Sequence, residues 1–348
     1  MVYNDKCDTI GHKYPKYVYV CNVAHDPQTG YDDVKDDASI EGLTAEFVDV
    51  DGVRTRYYDE GSGDPLVLLH GGTWTGFASA NTWARNVERL AKRFRVIAPD
   101  RLGNGMTDNP TTAEAFVFES EVTHMEALLE TLGVGSYHLC GQSRGGGLAA
   151  RLAVRSPESV DTLTVVNSAT LAPEASGYEH RRERLHAGKP DDPDSATYLE
   201  DTFRHFEETL SYSTGHVTEE YVRAGAYMRR RPKAMETAAV LGSDPAEPYW
   251  QRETPETDRW QRSLRESMWE TNRRIVVEGA LTMPTLLYWG TDDPTMPLRS
   301  GTALYDKIAQ HNPDVRLYAA NNAGHHPYRE HPTDFENAVR NFVGTFDR

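Results

Sequence analysis

The stretch "YHLCGQSRGGG", residues 137–147, places Ser143 between Gly141 and Gly145 at the end of a short apolar run. Glycine inside an element costs conformational entropy, so this density of glycine needs a structural reason. The order glycine, any residue, serine, any residue, glycine is typical of a sharp turn from a strand into a helix. Bulky side chains beside the serine would collide with the sheet there. The pattern therefore predicts that Ser143 projects from the top of a sheet as a nucleophile.

Short apolar runs alternate with helical stretches on both sides of this turn. "PLVLLHGG" (65–72) and "FRVIAPD" (94–100) precede the turn, and "VDTLTVVNSA" (160–169) follows it. Buried strands that alternate with helices predict a parallel sheet with right-handed crossovers. "AEFVDVDGVRTRYYDEG" (45–61) predicts an antiparallel hairpin about Asp51 and Gly52. The predicted fold class is therefore α/β.

This alternation is interrupted once along the chain. Residues 172–276 carry charged and aromatic helical stretches without a buried strand, and the sheet pattern returns with "MPTLLYWGTDD". We predict a core of residues 44–171 and 277–348, with an inserted helical lid of residues 172–276 over the carboxyl edge of the sheet. Residues 1–43 are predicted to be an extension laid over this core, in part at a contact between subunits of a homo-oligomer. A frayed tail is the alternative.

Composition excludes several classes of function. Lys and Arg total 37 against 53 Asp and Glu, a formal charge of −16, which disfavours nucleic acid and anionic membranes as partners. We expect a small-molecule substrate instead. The 3 cysteines form no disulfide framework, and the first residues lack an apolar signal core, which predicts a cytoplasmic protein. The spacing of His325, His326 and His331 matches no common ligand pattern, so neither a metal nor a cofactor is expected.

A nucleophilic serine needs a base, and the base needs a carboxylate that orients it. Asp292 and Asp293 follow the run "PTLLYWG", and His325 follows "VRLYAANNAG". Both positions come just after a predicted strand, where ligands bind in open α/β sheets. The order serine, acid, histidine is the one used in the α/β-hydrolase arrangement. We predict a triad of Ser143, one of the two aspartates, and His325.

The stretch "LLHGGTW", residues 68–74, contains His70-Gly71-Gly72 and matches the H-G-G loop, which supplies backbone N–H groups to an oxyanion hole. We predict that the N–H group of Gly72 or Thr73 joins that of Arg144, the residue after the nucleophile, in binding the developing negative charge. His70 is predicted to hold this loop in place rather than to act as a base.

From about residue 44 to its end, the chain resembles the α/β-hydrolase superfamily. Within it, the chain is most similar to the meta-cleavage product hydrolases, which cleave C–C bonds in 2-hydroxy-6-oxo-hexa-2,4-dienoates. The closer match is carried by three stretches, residues 70–110, 141–173 and "VTEEYVRAGAYMRRRPKAM". The superfamily places its acid three residues after a glycine, and Gly290 then selects Asp293. Asp292 is in that case a turn residue that caps backbone N–H groups.

The resemblance also implies a site for the substrate carboxylate. In the family, an arginine two residues before a proline in the lid contacts that carboxylate, and the corresponding residue here is Arg230, before Pro232. A shift of the alignment by one position would select Arg231 instead. Asn81 falls where the family has an asparagine near the same carboxylate.

The chain departs from the family at positions around this predicted pocket. Gln142 stands where asparagine is usual, Arg144 where a small or apolar residue is usual, and His326 where tryptophan is frequent. Because these positions decide the substrate, a carboxylesterase or lactonase with the same triad is an alternative. A non-catalytic receptor is another, since a fold does not settle a function. Enzymes with an aspartate nucleophile, such as epoxide hydrolases, are disfavoured by Ser143.

Overall fold

The computed structural model describes residues 29–72, 74, 76–172, 183, 185–193, 195–241 and 254–346. Within these residues, an eight-stranded sheet has the strand order β1-β2-β4-β3-β5-β6-β7-β8. The strands are β1 (Glu46–Val50), β2 (Val53–Glu60), β3 (Pro65–Leu69), β4 (Arg95–Pro99), β5 (Tyr137–Gln142), β6 (Val160–Val166), β7 (Thr285–Gly290) and β8 (Val315–Ala320). Strand β2 is antiparallel to both neighbours, and the other pairs are parallel. The α/β-hydrolase fold predicted from the sequence is confirmed.

Helices cover both faces of the sheet. They are α1 (Ala84–Leu90), α2 (Phe118–Thr131), α3 (Arg144–Arg155), α4 (Tyr198–Thr209), α5 (Glu219–Arg229), α6 (Pro232–Leu241), α7 (Pro255–Glu278), α8 (Leu298–Ala309), α9 (Pro327–Glu330) and α10 (Pro332–Phe346). Val67 and Leu69 belong to one core with α2, α3 and α8, whereas Leu66 and Leu68 belong to another with α1 and α10. Successive strand residues point to opposite faces, so the two cores lie on opposite sides of the sheet. Among these described helices, none is long and apolar enough to cross a membrane.

The predicted hairpin is confirmed by β1 and β2. Their register pairs Val50 with Val53, so Asp51 and Gly52 form a two-residue turn. Both turn residues have positive φ, at 51° and 83°, the conformation that an Asp-Gly pair adopts most readily in such turns.

Helices α4 to α7 lie between β6 and β7 in chain order. Helices α4 and α5 pack together, and α7 packs against α2, α3 and α8. Helix α7 ends at Glu278, two residues beyond the expected boundary, where Gly279 caps it with φ of 64°. The assignment of residues 172–276 as a lid stays a prediction.

Residues 29–43 of the predicted extension are described, whereas residues 1–28 lie outside the described part of the chain. The carbonyl of Asp37 accepts a hydrogen bond from Arg56 Nε of β2 at 2.7 Å. Asp33 pairs with Arg223 of α5, with 2.5 Å between Oδ1 and Nη2. This segment therefore connects the sheet to helix α5.

Candidate active site

The turn at Ser143 has the geometry expected from its glycines. Ser143 joins β5 to α3 with φ of 52° and ψ of −118°, a strained conformation for a residue other than glycine. A Cβ atom at Gly141 would collide with the backbone of Gly145, and one at Gly145 would collide with the carbonyl of Leu69. Ser143 is partly exposed, while its neighbours on both sides are buried. The turn therefore leaves the serine accessible on a tightly packed segment.

His325 and Asp293 are in direct contact, and both are buried. His325 Nδ1 lies 2.7 Å from Asp293 Oδ2. The other carboxylate oxygen, Oδ1, accepts hydrogen bonds from Thr295 N at 2.7 Å, Thr295 Oγ1 at 2.7 Å and Met296 N at 2.9 Å. Several donors on one carboxylate favour its ionised form and hold it in one orientation. Asp293 is therefore arranged to fix and polarise the imidazole.

Asp292, the other candidate acid, is in a different environment. Its side chain is exposed, and Oδ2 accepts a hydrogen bond from Thr291 Oγ1 at 2.6 Å. Its backbone N–H donates to the carbonyl of Ala323 at 2.9 Å. The structure thus places Asp293, and not Asp292, against His325.

Asn167 also binds the Asp293 carboxylate, and the sequence analysis missed it. Its Nδ2 donates to Asp293 Oδ2 at 2.6 Å and to Gly324 O at 3.1 Å, and its Oδ1 accepts from Gly290 N at 2.9 Å. Asn167 has φ of 41°, which asparagine adopts more readily than most residues. Its side chain joins the segments that follow β6, β7 and β8. The sequence did contain a signal for this role: Asn167 directly follows the apolar run of β6, and a side chain there can reach Asp293 after the neighbouring strand β7.

The contact shifts the pKa values of His325 and Asp293 in opposite directions. Burial alone would lower the pKa of His325, but the charge of Asp293 and its hydrogen bond raise it above the ordinary value. Burial alone would raise the pKa of Asp293, but His325 and the donors on Oδ1 lower it below the ordinary value. Asp293 therefore stays ionised, and the imidazole keeps its proton to a higher pH than an unpaired histidine.

If His325 is the base, activity should rise with pH as His325 loses its proton, because only the neutral imidazole can accept the proton of Ser143. Since the pKa of His325 is raised, the acid limb of kcat/KM should lie above the ordinary histidine value of about 6.5. The measurement is kcat/KM on a neutral ester from about pH 5 to about pH 9. A profile that is flat between about pH 5 and about pH 8 would contradict a histidine base.

Gln142 joins the serine turn to the histidine segment. Its Nε2 donates to the carbonyl of His325 at 3.1 Å. A Cβ atom at Gly71 would collide with Gln142 Oε1 and would lie 2.9 Å from Ser143 Cβ. The serine turn, the H-G-G loop and the histidine segment therefore converge at one edge of the sheet. The histidine and the aspartate are in direct contact, and Gln142 joins the backbone of the histidine segment to the serine turn.

His70 holds the H-G-G loop, as predicted. Its Nδ1–H donates to the carbonyl of Gly71 at 2.8 Å, and its Nε2 accepts a hydrogen bond from the backbone of Arg101 at 3.0 Å. Burial and the charge of Arg101 lower the pKa of His70 well below its ordinary value. The ring is therefore neutral and has both nitrogens engaged.

Of the three residues whose N–H groups are predicted for the oxyanion hole, Gly72 and Arg144 lie within the described part of the chain. Gly72 has φ of 80° and follows Gly71, which packs on Ser143. Arg144 is the first residue of α3, where N–H groups have no carbonyl partner within the helix. Its guanidinium lies 4.6 Å from the ring centroid of Trp260 in α7. Thr73 lies outside the described residues, and the role of all three groups stays a prediction.

The segment after His325 contacts the helices inserted between β6 and β7. The backbone N–H of His325 donates to the carbonyl of Leu210, at the end of α4, at 2.7 Å. Arg329 Nη1 pairs with Glu207 of α4 at 2.5 Å. His326 is buried with its ring centroid 5.3 Å from that of His325. Burial and the charges of His325 and Arg329 lower the pKa of His326 well below its ordinary value, so it is a neutral neighbour of His325.

Asn81 and Arg230, the residues expected to hold a substrate carboxylate, bind other parts of the protein. Asn81 Oδ1 accepts a hydrogen bond from Tyr58 OH at 2.6 Å, and its Nδ2 donates to the carbonyl of Ala38 at 2.8 Å. Arg230 Nη1 donates to the carbonyl of Thr29 at 2.9 Å. Both side chains therefore hold the described part of the extension. No hydrogen bond within the described residues joins either of them to the serine, the histidine or the acid.

The consecutive arginines at the end of α5 have different surroundings. Arg229 is buried, and a Cβ atom at Gly76 would lie 2.7 Å from its Cδ, so it packs on the segment after the H-G-G loop. Arg231 Nη1 donates to Tyr227 OH at 3.2 Å. For the carboxylate site, the resemblance indicates Arg230 or Arg231, and not Arg229.

A family described as alpha/beta hydrolase fold matches residues 64–332 of the chain. The chain belongs to the α/β-hydrolase family. A similar α/β-hydrolase is the 2-hydroxymuconate semialdehyde hydrolase of Pseudomonas putida, 30% identical over 85% of this chain and 92% of that protein. The protein of the same name from Pseudomonas sp. strain CF600 is 29% identical with the same coverage. A solved meta-cleavage product hydrolase from Pseudomonas fluorescens IP01, 24% identical, shares the fold with a TM-score of 0.64 over 88% of this chain and 99% of that chain.

These comparisons confirm the resemblance inferred from the sequence. The chain is an enzyme of the α/β-hydrolase family, and its relatives include meta-cleavage product hydrolases. The alternative of a non-catalytic receptor is thereby set aside.

Proposed function

We propose that this α/β-hydrolase cleaves a C–C bond in a 2-hydroxy-6-oxo-hexa-2,4-dienoate formed when an aromatic ring is opened. Ser143 is the nucleophile, His325 the base and Asp293 the acid that orients the base. The observation that carries this proposal is the buried contact of 2.7 Å between His325 and Asp293, at the sheet edge where Ser143 is partly exposed. The substrate class is supported by a relative that is 30% identical and named as a 2-hydroxymuconate semialdehyde hydrolase.

The proposed reaction begins with a shift of the dienol to its keto form, in which His325 moves the proton. Ser143 Oγ then attacks the distal carbonyl carbon and transfers its proton to His325. The new oxyanion accepts hydrogen bonds from the N–H group of Arg144 and from the H-G-G loop. When the C–C bond breaks, its electron pair stays on the dienoate, which takes the proton from His325. Water then hydrolyses the acyl-enzyme. A route in which His325 activates water to form a gem-diol uses the same residues.

A carboxylesterase or lactonase activity is the second candidate, and the surroundings of Asn81 and Arg230 favour it. Both side chains bind the extension, so neither is free of protein partners for a substrate carboxylate. The chain also carries a formal charge of −16, which repels an anionic dienoate at long range. A neutral ester requires no cation for capture.

The decisive experiment compares dienoates with neutral esters. Purified enzyme is mixed with 2-hydroxy-6-oxo-dienoates that differ in their distal group, and the loss of their visible absorbance is followed. The same preparation is assayed on short aryl esters and on lactones. A C–C hydrolase should show a higher kcat/KM on at least one dienoate than on any ester. Turnover of esters alone would replace the C–C proposal with the ester alternative.

If Arg230 binds the substrate carboxylate, as the resemblance implies, Arg230→Ala should lower kcat/KM for a dienoate by at least about 30-fold and leave a small neutral ester nearly unaffected. The reason is that a guanidinium binds a carboxylate through two charge-assisted hydrogen bonds, and loss of one partner of such a pair costs roughly 2–5 kcal/mol. Arg230→Lys should recover only part of the loss, because it restores the charge without the planar fork. The measurement is kcat/KM on both substrates.

Arg229→Ala and Arg231→Ala are the matched controls for this experiment. A selective loss in one of these two variants alone would move the carboxylate site to that arginine. Equal losses on acid and ester in Arg230→Ala would mean that Arg230 only holds the extension through Thr29. The absence of selective loss in all three variants would contradict the carboxylate site.

A further inference from the structure

Arg101 is a fully buried cation that the proposed reaction does not use. Its Nη1 pairs with Glu121 of α2 at 2.5 Å, and neither side chain is exposed. Glu121 Oε1 also accepts a hydrogen bond from Trp74 Nε1 at 2.9 Å. The other terminal nitrogen of the guanidinium, Nη2, donates to two carbonyls, Gly71 O at 3.0 Å and Gly72 O at 2.9 Å. A buried ion pair adds little net stability, so the placement of this pair needs another explanation.

These carbonyls belong to the loop that is predicted to supply the oxyanion hole. In a trans peptide, the C=O and N–H bonds of one peptide group point in opposite directions. The carbonyl of Gly71 and the N–H of Gly72 form one such group. Arg101 Nη2 and His70 Nδ1 both hold this carbonyl, so the N–H of Gly72 is turned away from them.

Gly71, whose carbonyl belongs to this peptide group, lies beside the nucleophile. A Cβ atom at Gly71 would lie 2.9 Å from Ser143 Cβ, and one at Gly145, in the first turn of α3, would collide with the carbonyl of His70. Gly72 has φ of 80°, and a glycine adopts either sign of φ with little steric preference. Side-chain sterics therefore cannot fix this peptide plane, whereas hydrogen bonds to its carbonyl can.

We infer that Arg101, held by Glu121, is a positioning residue for the oxyanion hole. It fixes the peptide group between Gly71 and Gly72 so that the N–H of Gly72 stays turned toward the nucleophile. The charge of the guanidinium also polarises this peptide group, which strengthens the hydrogen bond that its N–H donates. Arg101 acts through the backbone and does not touch the substrate. The inference rests on the proposed function, because it requires an oxyanion at Ser143.

The main test is the double variant Arg101→Met, Glu121→Gln. The glutamine keeps an acceptor for Trp74 and avoids leaving a buried carboxylate without its cation. We expect kcat on a neutral ester to fall roughly 10- to 100-fold, with KM within about threefold, because the hole is used only after the attack. The affinity of phenylboronic acid, which forms a tetrahedral adduct on a nucleophilic serine, should fall by a similar factor. The affinity of the product acid, which forms no oxyanion, should stay within about threefold.

The matched control is the double variant Arg151→Met, Glu119→Gln, which removes a different arginine–glutamate pair. Arg151 of α3 and Glu119 of α2 form this pair, with 3.1 Å between Nε and Oε1. This variant should keep kcat and the boronic acid affinity within about twofold of the wild-type values, although, like the main variant, it removes an ion pair made by a glutamate of α2. Arg101→Lys is the second test variant. It keeps a cation beside Glu121 but lacks the fork, so its losses should be intermediate.

The outcomes separate a positioning role from a purely structural one. Parallel losses in kcat and boronic acid affinity, with product affinity retained, would support the inference. An Arg101 variant that folds and keeps kcat within about twofold would overturn it, as would equal losses in boronic acid and product affinity. If the double variant does not fold, Arg101→Lys decides by the same criteria. If Ser143→Ala remains active, the proposed function itself is wrong. If Ser143→Ala is inactive and Arg101→Lys is unaffected, only the inference about Arg101 is wrong.

Discussion

Ser143→Ala is expected to remove nearly all hydrolysis, with kcat lower by about 10⁴- to 10⁶-fold, as is typical for loss of a nucleophile. The substitution deletes one oxygen and keeps the Cβ atom of residue 143, so the close packing of this atom against Gly71 is retained. The folded structure should therefore be retained, with a melting temperature close to that of the wild type. The measurements are steady-state kcat on dienoate and ester, and labelling by a fluorophosphonate detected as a mass increase. Label should appear on Ser143 of the wild type and should be absent from the variant.

Ser168→Ala is the matched control for this loss. Ser168 Oγ donates a hydrogen bond to the carbonyl of Ser143 at 2.6 Å, so this variant also removes a hydroxyl from the serine turn. It should retain kcat within about tenfold and should still be labelled, because it keeps the nucleophile. If Ser143→Ala keeps more than about a tenth of the wild-type rate, the assignment of the nucleophile is wrong.

The sequence predicts the sheet and the serine turn because both follow from local constraints. The glycines at 141 and 145 are required by the close approach of backbone atoms, and this requirement is visible in a five-residue pattern. The turn at Asp51 and Gly52 is equally local, since both residues need positive φ. The end of α7 is less well predicted, because the charged surface of that helix gives no signal until Gly279 stops it.

The residues that the sequence analysis missed act across long separations in the chain. Asn167 reaches Asp293, which is 126 positions away, and the choice between two adjacent aspartates depends on which one faces this amide. Arg101 reaches back to Gly71, 30 positions away, through a side chain whose direction no spacing rule gives. Such contacts follow from the assembled sheet edge and not from any one segment.

The roles assigned to Asn81 and Arg230 came from resemblance, and the resemblance begins near residue 44. Each of these two side chains has a partner that precedes that point, Ala38 for Asn81 and Thr29 for Arg230. A comparison restricted to the shared core therefore could not anticipate that the extension occupies them. This is why the triad can be argued from sequence pattern and structure together, whereas the carboxylate site depends on the experiment with the arginine variants.

Asp293→Asn is expected to lower kcat by about 10⁴-fold, whereas Asp292→Asn should change it by less than about threefold. Thr295 N, Thr295 Oγ1 and Met296 N all donate to Oδ1 of Asp293, so the amide oxygen of an asparagine would take that position. Its NH₂ group would then replace Oδ2 and face His325 Nδ1. An N–H donor there forces the imidazole proton onto Nε2, and the ring can no longer accept a proton from Ser143.

The Asp292 variant is the matched control, because it makes the same chemical change one residue away, on an exposed side chain that binds the Thr291 hydroxyl. Steady-state kcat and the pH profile of both variants are the measurements. Loss of the Asp293 charge should also lower the pKa of His325, because burial lowers this pKa and the charge of Asp293 is the main effect that opposes burial in the wild type. Any residual activity of Asp293→Asn should therefore extend to lower pH than that of the wild type. The reverse ranking of the two variants in kcat would assign the acid to Asp292, and the contact between His325 and Asp293 would then have no part in catalysis.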